Sequence, residues 1–155
     1  MLLETKDLAL LALLQKDSSA SNAELAEQVG MSASACYRRT RALESAGVIK
    51  RQVAVLDPIP LGLRFSAIVQ ISLSRHDRGH VQTFVERLLT RPEVIEAFAT
   101  TGEADYHLRV VTENADAYNA FLDEFLLGLP GVSRIQTNLV LKEIKQTYEL
   151  PLPAA

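Results

Sequence analysis

The hydrophobic period of the chain changes once, after Ile49, and that change divides it. Up to Ile49 apolar residues recur every three or four positions, the spacing of helices packed on a core. Leu10, Leu11 and Leu14 share one face of a first helix, with Thr5 as its predicted cap and Asp7 in its first turn. Lys16-Asp17-Ser18-Ser19-Ala20 breaks the pattern. Ser21 followed by Glu24 is a capping box for a second helix over 22–29. Leu25, Ala26 and Val29 form its core face, and Gly30 ends it. Met31 is predicted to pack inward and Ser32 to cap a third helix over 32–46. The buried face of that helix is Cys36, Thr40 and Leu43. Gly47 stops it, and Val48 and Ile49 are expected to return to the core.

After Ile49 the period becomes two. Val53 and Val55 alternate as a short strand, and Asp57-Pro58-Ile59-Pro60-Leu61-Gly62 then breaks regular structure. Ala67, Val69, Ile71 and Leu73 alternate as a longer strand. Val81, Phe84, Val85 and Leu88 make a helical stripe, and residues 94–101 a strand. Residues 101–104 form a turn, and Tyr106, Leu108 and Val110 alternate. Tyr118, Phe121, Leu122 and Phe125 make a second stripe. Pro130-Gly131 turns into a long strand over 132–141. The order β-α-β-β-α-β predicts a ferredoxin-like sandwich with both helices on one sheet face. The fold class is therefore α+β. A helix-turn-helix, winged-helix-like domain spans 1–51, a strand and linker 52–63, and a βαββαβ domain 64–155. The second sheet face lacks intrachain cover, so its apolar residues predict pairing between subunits.

The three N-terminal helices contain the functional signal. A short capped helix, a tight Gly30-Met31-Ser32 turn and a longer helix are what major-groove docking requires. The exposed face of the third helix carries Ser34, Ala35, Tyr37, Arg38 and Arg41. Arginine pairs bidentately with guanine O6 and N7 or holds a phosphate. Ser32 and Ser34 lie where helix N–H groups favour anions, and Lys50 and Arg51 are placed to neutralise flanking phosphates. Arg39 belongs to the same cationic cluster or pairs inside the domain with Glu24 or Glu27. Two readings of these arginines stand open: a DNA-binding face or a solvated one. Net charge is −3, but it is uneven. Residues 1–51 carry seven Lys/Arg and six Asp/Glu, or +1; residues 52–155 carry nine and thirteen, or −4. A local basic patch still binds DNA, because salt screens remote charge within about 10 Å.

No apolar run reaches the roughly 18–20 residues needed to cross a bilayer. Met1-Leu2-Leu3-Glu4 lacks the basic start of a signal peptide, so a cytoplasmic protein with no membrane partner is expected. The single cysteine, Cys36, excludes an intramolecular disulfide and a cysteine-based zinc site; its inward position reads as a core thiol. His76 and His80 lie in or near the charged stretch Arg75-His76-Asp77-Arg78 and read as solvated. His107 falls on the opposite strand face from Tyr106 and Leu108, and with Asp105 it makes too few ligands for a metal site. No nucleophile–base arrangement or phosphate-binding glycine loop is present, so neither catalysis nor a cofactor is expected.

The stretches that carry these features, taken together, are specific. They are Asp7–Leu14, Asn22-Ala23-Glu24-Leu25-Ala26, Val29-Gly30-Met31-Ser32, Cys36, Arg39, Arg41, Leu43-Glu44 and Gly47-Val48-Ile49. In the second half they are Thr101-Gly102-Glu103-Ala104-Asp105-Tyr106, Leu129-Pro130-Gly131-Val132 and Lys142-Glu143-Ile144-Lys145. In this order they resemble the Lrp/AsnC, or feast/famine, family of regulators over almost the whole chain. The resemblance implies a helix-turn-helix domain joined by a strand linker to an effector domain. It also implies dimers paired through their sheets, closing into tetramers, octamers or larger rings. A small ligand, usually an amino acid, would bind between dimers beside the Gly-x-x-Asp-Tyr turn and change transcription. Glu4, where the family often has Asp, and Thr40, in place of a usual Val, depart from the pattern. Tyr37 and Arg38 fall at variable positions, so the operator does not carry over.

The turn has suitable chemistry of its own. Gly102 permits close backbone approach and free N–H groups for a carboxylate. Glu103 or Asp105 can accept from an α-ammonium, with Ala104 between them. Thr100, Thr101, Gln136, Thr137 and Asn138 supply neutral hydrogen-bonding groups. The plainer reading is a tight hairpin in which Asp105 satisfies its own turn. Two functional readings follow from different classes: a regulator of double-stranded DNA, or a small enzyme or assembly protein on a ferredoxin-like domain whose helical domain binds no DNA.

Overall fold

The computed structural model describes residues 2–74 and 78–153. Arg75, His76 and Asp77, read above as part of a solvated charged stretch, lie outside the described residues. The chain separates into two compact units, Met1–Val55 with Lys145–Ala155, and Leu56–Ile144.

The first unit holds α1 (Thr5–Lys16), α2 (Asn22–Val29) and α3 (Ala33–Ser45). The α1 cap is Glu4 rather than Thr5. Glu4 accepts from the Asp7 backbone while its own N–H donates to the Asp7 carboxylate at 2.8 Å, a box built from two acids at the positive helix end. Ser21 and Glu24 form the expected box on α2, at 3.3 and 2.7 Å. Gly30 ends α2 in the left-handed conformation, φ +63°. Leu10, Leu11, Leu25, Ala26, Val29, Cys36 and Leu43 form the core, with Met31 and Ile49 packed against it. Val48 stays 40% exposed, so only Ile49 makes the expected return.

No strand forms at Val53 and Val55: their alternation is present, but among the described residues no strand pairs with them. The C-terminal boundary also differs from expectation. Residues 145–155 cluster with the helices rather than the sheet. Gln15 clamps Leu150 there by receiving its N–H at 2.6 Å and donating to its carbonyl at 3.3 Å, and Leu152 packs on the helical core.

The second unit follows the predicted order: β1 (Phe65–Leu73), α4 (Arg78–Leu88), β2 (Val94–Ala99), β3 (Tyr106–Thr112), α5 (Ala115–Glu124) and β4 (Val132–Leu139). The sheet runs β2-β3-β1-β4, all antiparallel. β2 and β4 each end two residues earlier than expected. Ala67, Val69, Ile71, Leu73, Leu108 and Val110 pack with Phe84, Leu88, Tyr118 and Phe121 into one core. Val81 of the first stripe is instead exposed. Cross-strand pairing puts Ile68 beside Arg109 and Asn138, Gln70 beside His107 and Gln136, and Ser72 beside Arg134. That second sheet face is thus more polar than the expected apolar patch, with Ile68, Phe98 and Val111 among its apolar members.

Candidate nucleic-acid interface and effector site

α3 has the two-sided build that docking needs. Cys36 and Leu43 are fully buried, while Ser34, Tyr37, Arg38 and Arg41 are exposed and Ala35 is half-buried. The Ser32 hydroxyl accepts from Ala35 N–H at 3.2 Å and lies 3.2 Å from the Ser34 hydroxyl, so Ser32 is first of all the helix cap. Thr40 donates back to the Cys36 carbonyl at 3.1 Å, which accommodates its hydroxyl near the core. Burial pushes the Cys36 thiol up, only partly offset by Thr40, so it stays a neutral core group.

The arginines divide by role. Arg39 donates through Nε and Nη2 to the Asp7 carboxylate, and Glu4 lies 3.4 Å from Nη2. Its partners are therefore on α1, not Glu24 or Glu27. Asp7 is fully buried, and leaving it unpaired there would be costly, so Arg39 is occupied inside the domain and is removed from the DNA-facing set. The Arg39 hydrogen bonds hold the Asp7 carboxyl below its ordinary value against the opposing effect of burial. Arg41 donates Nη1 to Glu44 at 2.7 Å and lies over the Tyr37 ring, 5.4 Å from its centroid. Arg38, Lys50 and Arg51 are exposed and form no ion pair among the described residues.

The turn after β2 is held to β1. Leu73 N–H donates to Asp105 Oδ2 at 2.7 Å, Asp105 N–H to the Ile71 carbonyl at 3.0 Å, and Thr100 N–H to the Asp105 carbonyl at 2.9 Å. The Asp105 carboxylate thus ties the turn to β1 rather than satisfying its own turn as the plainer reading had it. Thr100 Oγ1 donates to the Ala104 carbonyl at 3.1 Å, and Ala104 is buried. Thr101, Gly102 and Glu103 are exposed at the tip, where Gly102 adopts φ +131°. Arg134 Nη1 donates to Glu103 at 2.8 Å and Nη2 to Gln136 at 3.3 Å.

Gln70, Ser72, Glu103, Ala104, Arg134 and Gln136 line a shallow polar concavity. Thr137 is separated from it. Strand alternation turns Thr137 to the helix layer, where it bonds the Tyr118 hydroxyl, while Gln136 and Asn138 face the other way. Gln70, Ser72 and Arg134 were missed in the sequence. Their signal was the polar phase of β1 and its register with β4, which brings Gln70 to Gln136 and Ser72 to Arg134. Among the described residues no three His, Cys, Asp or Glu side chains gather as a metal site, and no helix is long and apolar enough to cross a membrane.

Comparison with known proteins agrees with both halves. Residues 3–50 match the winged helix-turn-helix DNA-binding model, and residues 66–150 the Lrp/AsnC ligand binding domain. The transcriptional regulator AzlB of Bacillus subtilis is 34% identical, covering 98% of this chain and 97% of its own. The Bkd operon transcriptional regulator of Pseudomonas aeruginosa is 37% identical, covering 97% and 98%. A transcriptional regulator from Neisseria meningitidis, solved in complex with L-Met, superposes with a TM-score of 0.93 at 36% identity, covering 97% of both chains. Two family models in the right order, end-to-end relatives and a matching fold lead to one conclusion: the chain belongs to the Lrp/AsnC family of DNA-binding transcriptional regulators.

Proposed function

We propose that this regulator inserts α3 into the major groove of double-stranded DNA and works as a homo-oligomer. We further propose that an amino acid, bound beside the 100–105 turn, modulates its assembly or DNA affinity. The observation that carries the reading is the two-sided α3, with Cys36 and Leu43 at 0% exposure behind an outward face of Ser34, Tyr37, Arg38 and Arg41. Tyr37, Arg38 and Arg41 reach base edges, while Lys50 and Arg51 neutralise phosphates. A regulator of this kind acts in the cytoplasm and needs no catalytic group.

Pairing with a second copy is supported by what one chain leaves unsatisfied. Val53, Val55, Leu56, Ile59 and Leu61 are all exposed, and Ser66 Oγ and Arg109 Nε are buried without a partner. The concavity supports an amino-acid effector: Arg134 suits a carboxylate, Glu103 an ammonium, and the Gly102 turn leaves its backbone accessible. The relative solved with L-Met lends the ligand class.

Binding of the full chain to duplexes from its own promoter region tests the first claim. Steep salt dependence is expected, and Arg41→Ala should weaken specific binding by about 1–3 kcal/mol. Unchanged binding would remove Arg41 from the interface. Calorimetry with the common amino acids tests the effector, and a full panel without heat would overturn it. A monomer by light scattering at micromolar concentration would overturn the oligomer.

A further inference from the structure

Glu44 is the only acid between residues 28 and 56, and it stands on the helix proposed to enter the groove. It engages Arg41 Nη1 at 2.7 Å, one turn away, and Tyr37 underlies the same guanidinium. Arg41 is therefore restrained from two sides, although its side chain is 63% exposed. An exposed pair of this spacing adds little to helix stability, so stability does not account for an acid at this place. Its consequence lies in the contacts that Arg41 can make.

A guanidinium already neutralised by a carboxylate gains little from a phosphate, because Glu44 repels the incoming anion and its bond must be given up. A neutral base edge brings no such repulsion. Glu44 holds one guanidinium nitrogen and leaves N–H donors for a guanine O6 or N7. Lys50 and Arg51, exposed and without an ion pair among the described residues, remain as phosphate ligands. We infer that Glu44 is a specificity-determining residue: by holding Arg41 against Tyr37 it withholds that cation from the phosphate backbone and reserves it for base edges.

The inference rests on α3 entering DNA, and the experiment separates the two. Full-length wild-type protein first selects duplexes from a randomised pool; a selected duplex and an unselected one of equal length are the probes. One additional phosphate contact steepens the salt slope by about 0.9, which amounts to about an eightfold gain in affinity at 0.1 M salt relative to 1 M. E44Q should show that steeper slope and tighter binding on the unselected duplex. Its affinity for the selected duplex should rise less, so the ratio of selected to unselected affinity falls. In an R41A background, adding E44Q should change nothing further, since the effect runs through Arg41. Wild-type slope and ratio in E44Q would overturn the inference. So would an E44Q effect that persists with Arg41 removed, because Glu44 would then act by its own charge. Failure of the wild type to enrich any duplex would overturn the DNA-binding reading and this inference with it. Unchanged thermal melting of E44Q excludes a folding defect as the cause.

Discussion

The two candidate surfaces are built by opposite means. α3 is shaped mostly within itself: Ser32 caps Ala35, Thr40 bonds Cys36, and Arg41 pairs Glu44, each three or four residues apart. Among the described residues its one distant polar anchor is Arg39, which pairs with Asp7, 32 residues away, and with Glu4. The effector-side concavity is assembled almost wholly from distant ties. Leu73 reaches Asp105 across 32 residues, and Arg134 reaches Glu103 across 31. The difference teaches that the recognition surface is locally encoded but held at one point, whereas the sensing surface exists only once the sheet has formed. Loss of a distant tie should therefore cost more than loss of a local one.

The largest effect is expected at the single distant tie of α3. Asp7→Ala strands a part-buried Arg39 and removes half of the α1 capping box, and should destabilise by about 3 kcal/mol in urea unfolding. The same carboxylate fixes the sign of a pH effect. Its folded pKa lies below the unfolded value, so its stabilisation is fully present above that value. It is lost as pH falls through the lower folded pKa, and Asp7→Asn should flatten this acid limb of the stability curve. A smaller loss, about 2 kcal/mol, is expected for Gly131→Ala. There φ is +80°, and an added Cβ would sit 2.9 Å from His80 Cβ, which is tighter than packing allows. Asp105→Ala leaves Leu73 N–H without its acceptor and should cost about 1.5 kcal/mol, weakening any amino-acid heat along with it. The smallest loss, about 1 kcal/mol, belongs to the local cap variant Ser21→Ala. If Ser21→Ala proved as costly as Asp7→Ala, the contrast between local and distant ties would break. A Gly131→Ala cost confined to the sheet unit would sharpen it.

Legibility in the sequence follows the same division. The Ser21–Glu24 box, the Gly30 stop and the Cys36–Leu43 face were readable because their partners lie within two helical turns. The βαββαβ order was readable because a period of two or of 3.6 is written in consecutive residues. The Arg39 partner was not, since Asp7, Glu24 and Glu27 are all acids on packed helices and only the crossing of α1 with α3 selects among them. Thr137 was grouped with Gln136 and Asn138 by proximity along the chain, although neighbours on a strand point to opposite faces. Gln70, Ser72 and Arg134 went unread because their meeting depends on strand register. Val53 and Val55 show the converse, a strand pattern with no partner strand among the described residues.

By itself, then, the sequence determined what short-range physics writes: helix stops and caps, strand alternation, a cationic exposed face on α3 and a family likeness along its whole length. Tertiary structure decided which charges are spent on the protein and which remain for a ligand. It turned Arg39 inward to Asp7, gave Asp105 to the β1 backbone, set Arg134 against Glu103 and returned residues 145–155 to the helical unit. The reason is that an ionised or hydrogen-bonding group takes whichever partner the fold brings within about 3 Å. A distance of that size between residues 30 apart is a property of packing, not of order along the chain.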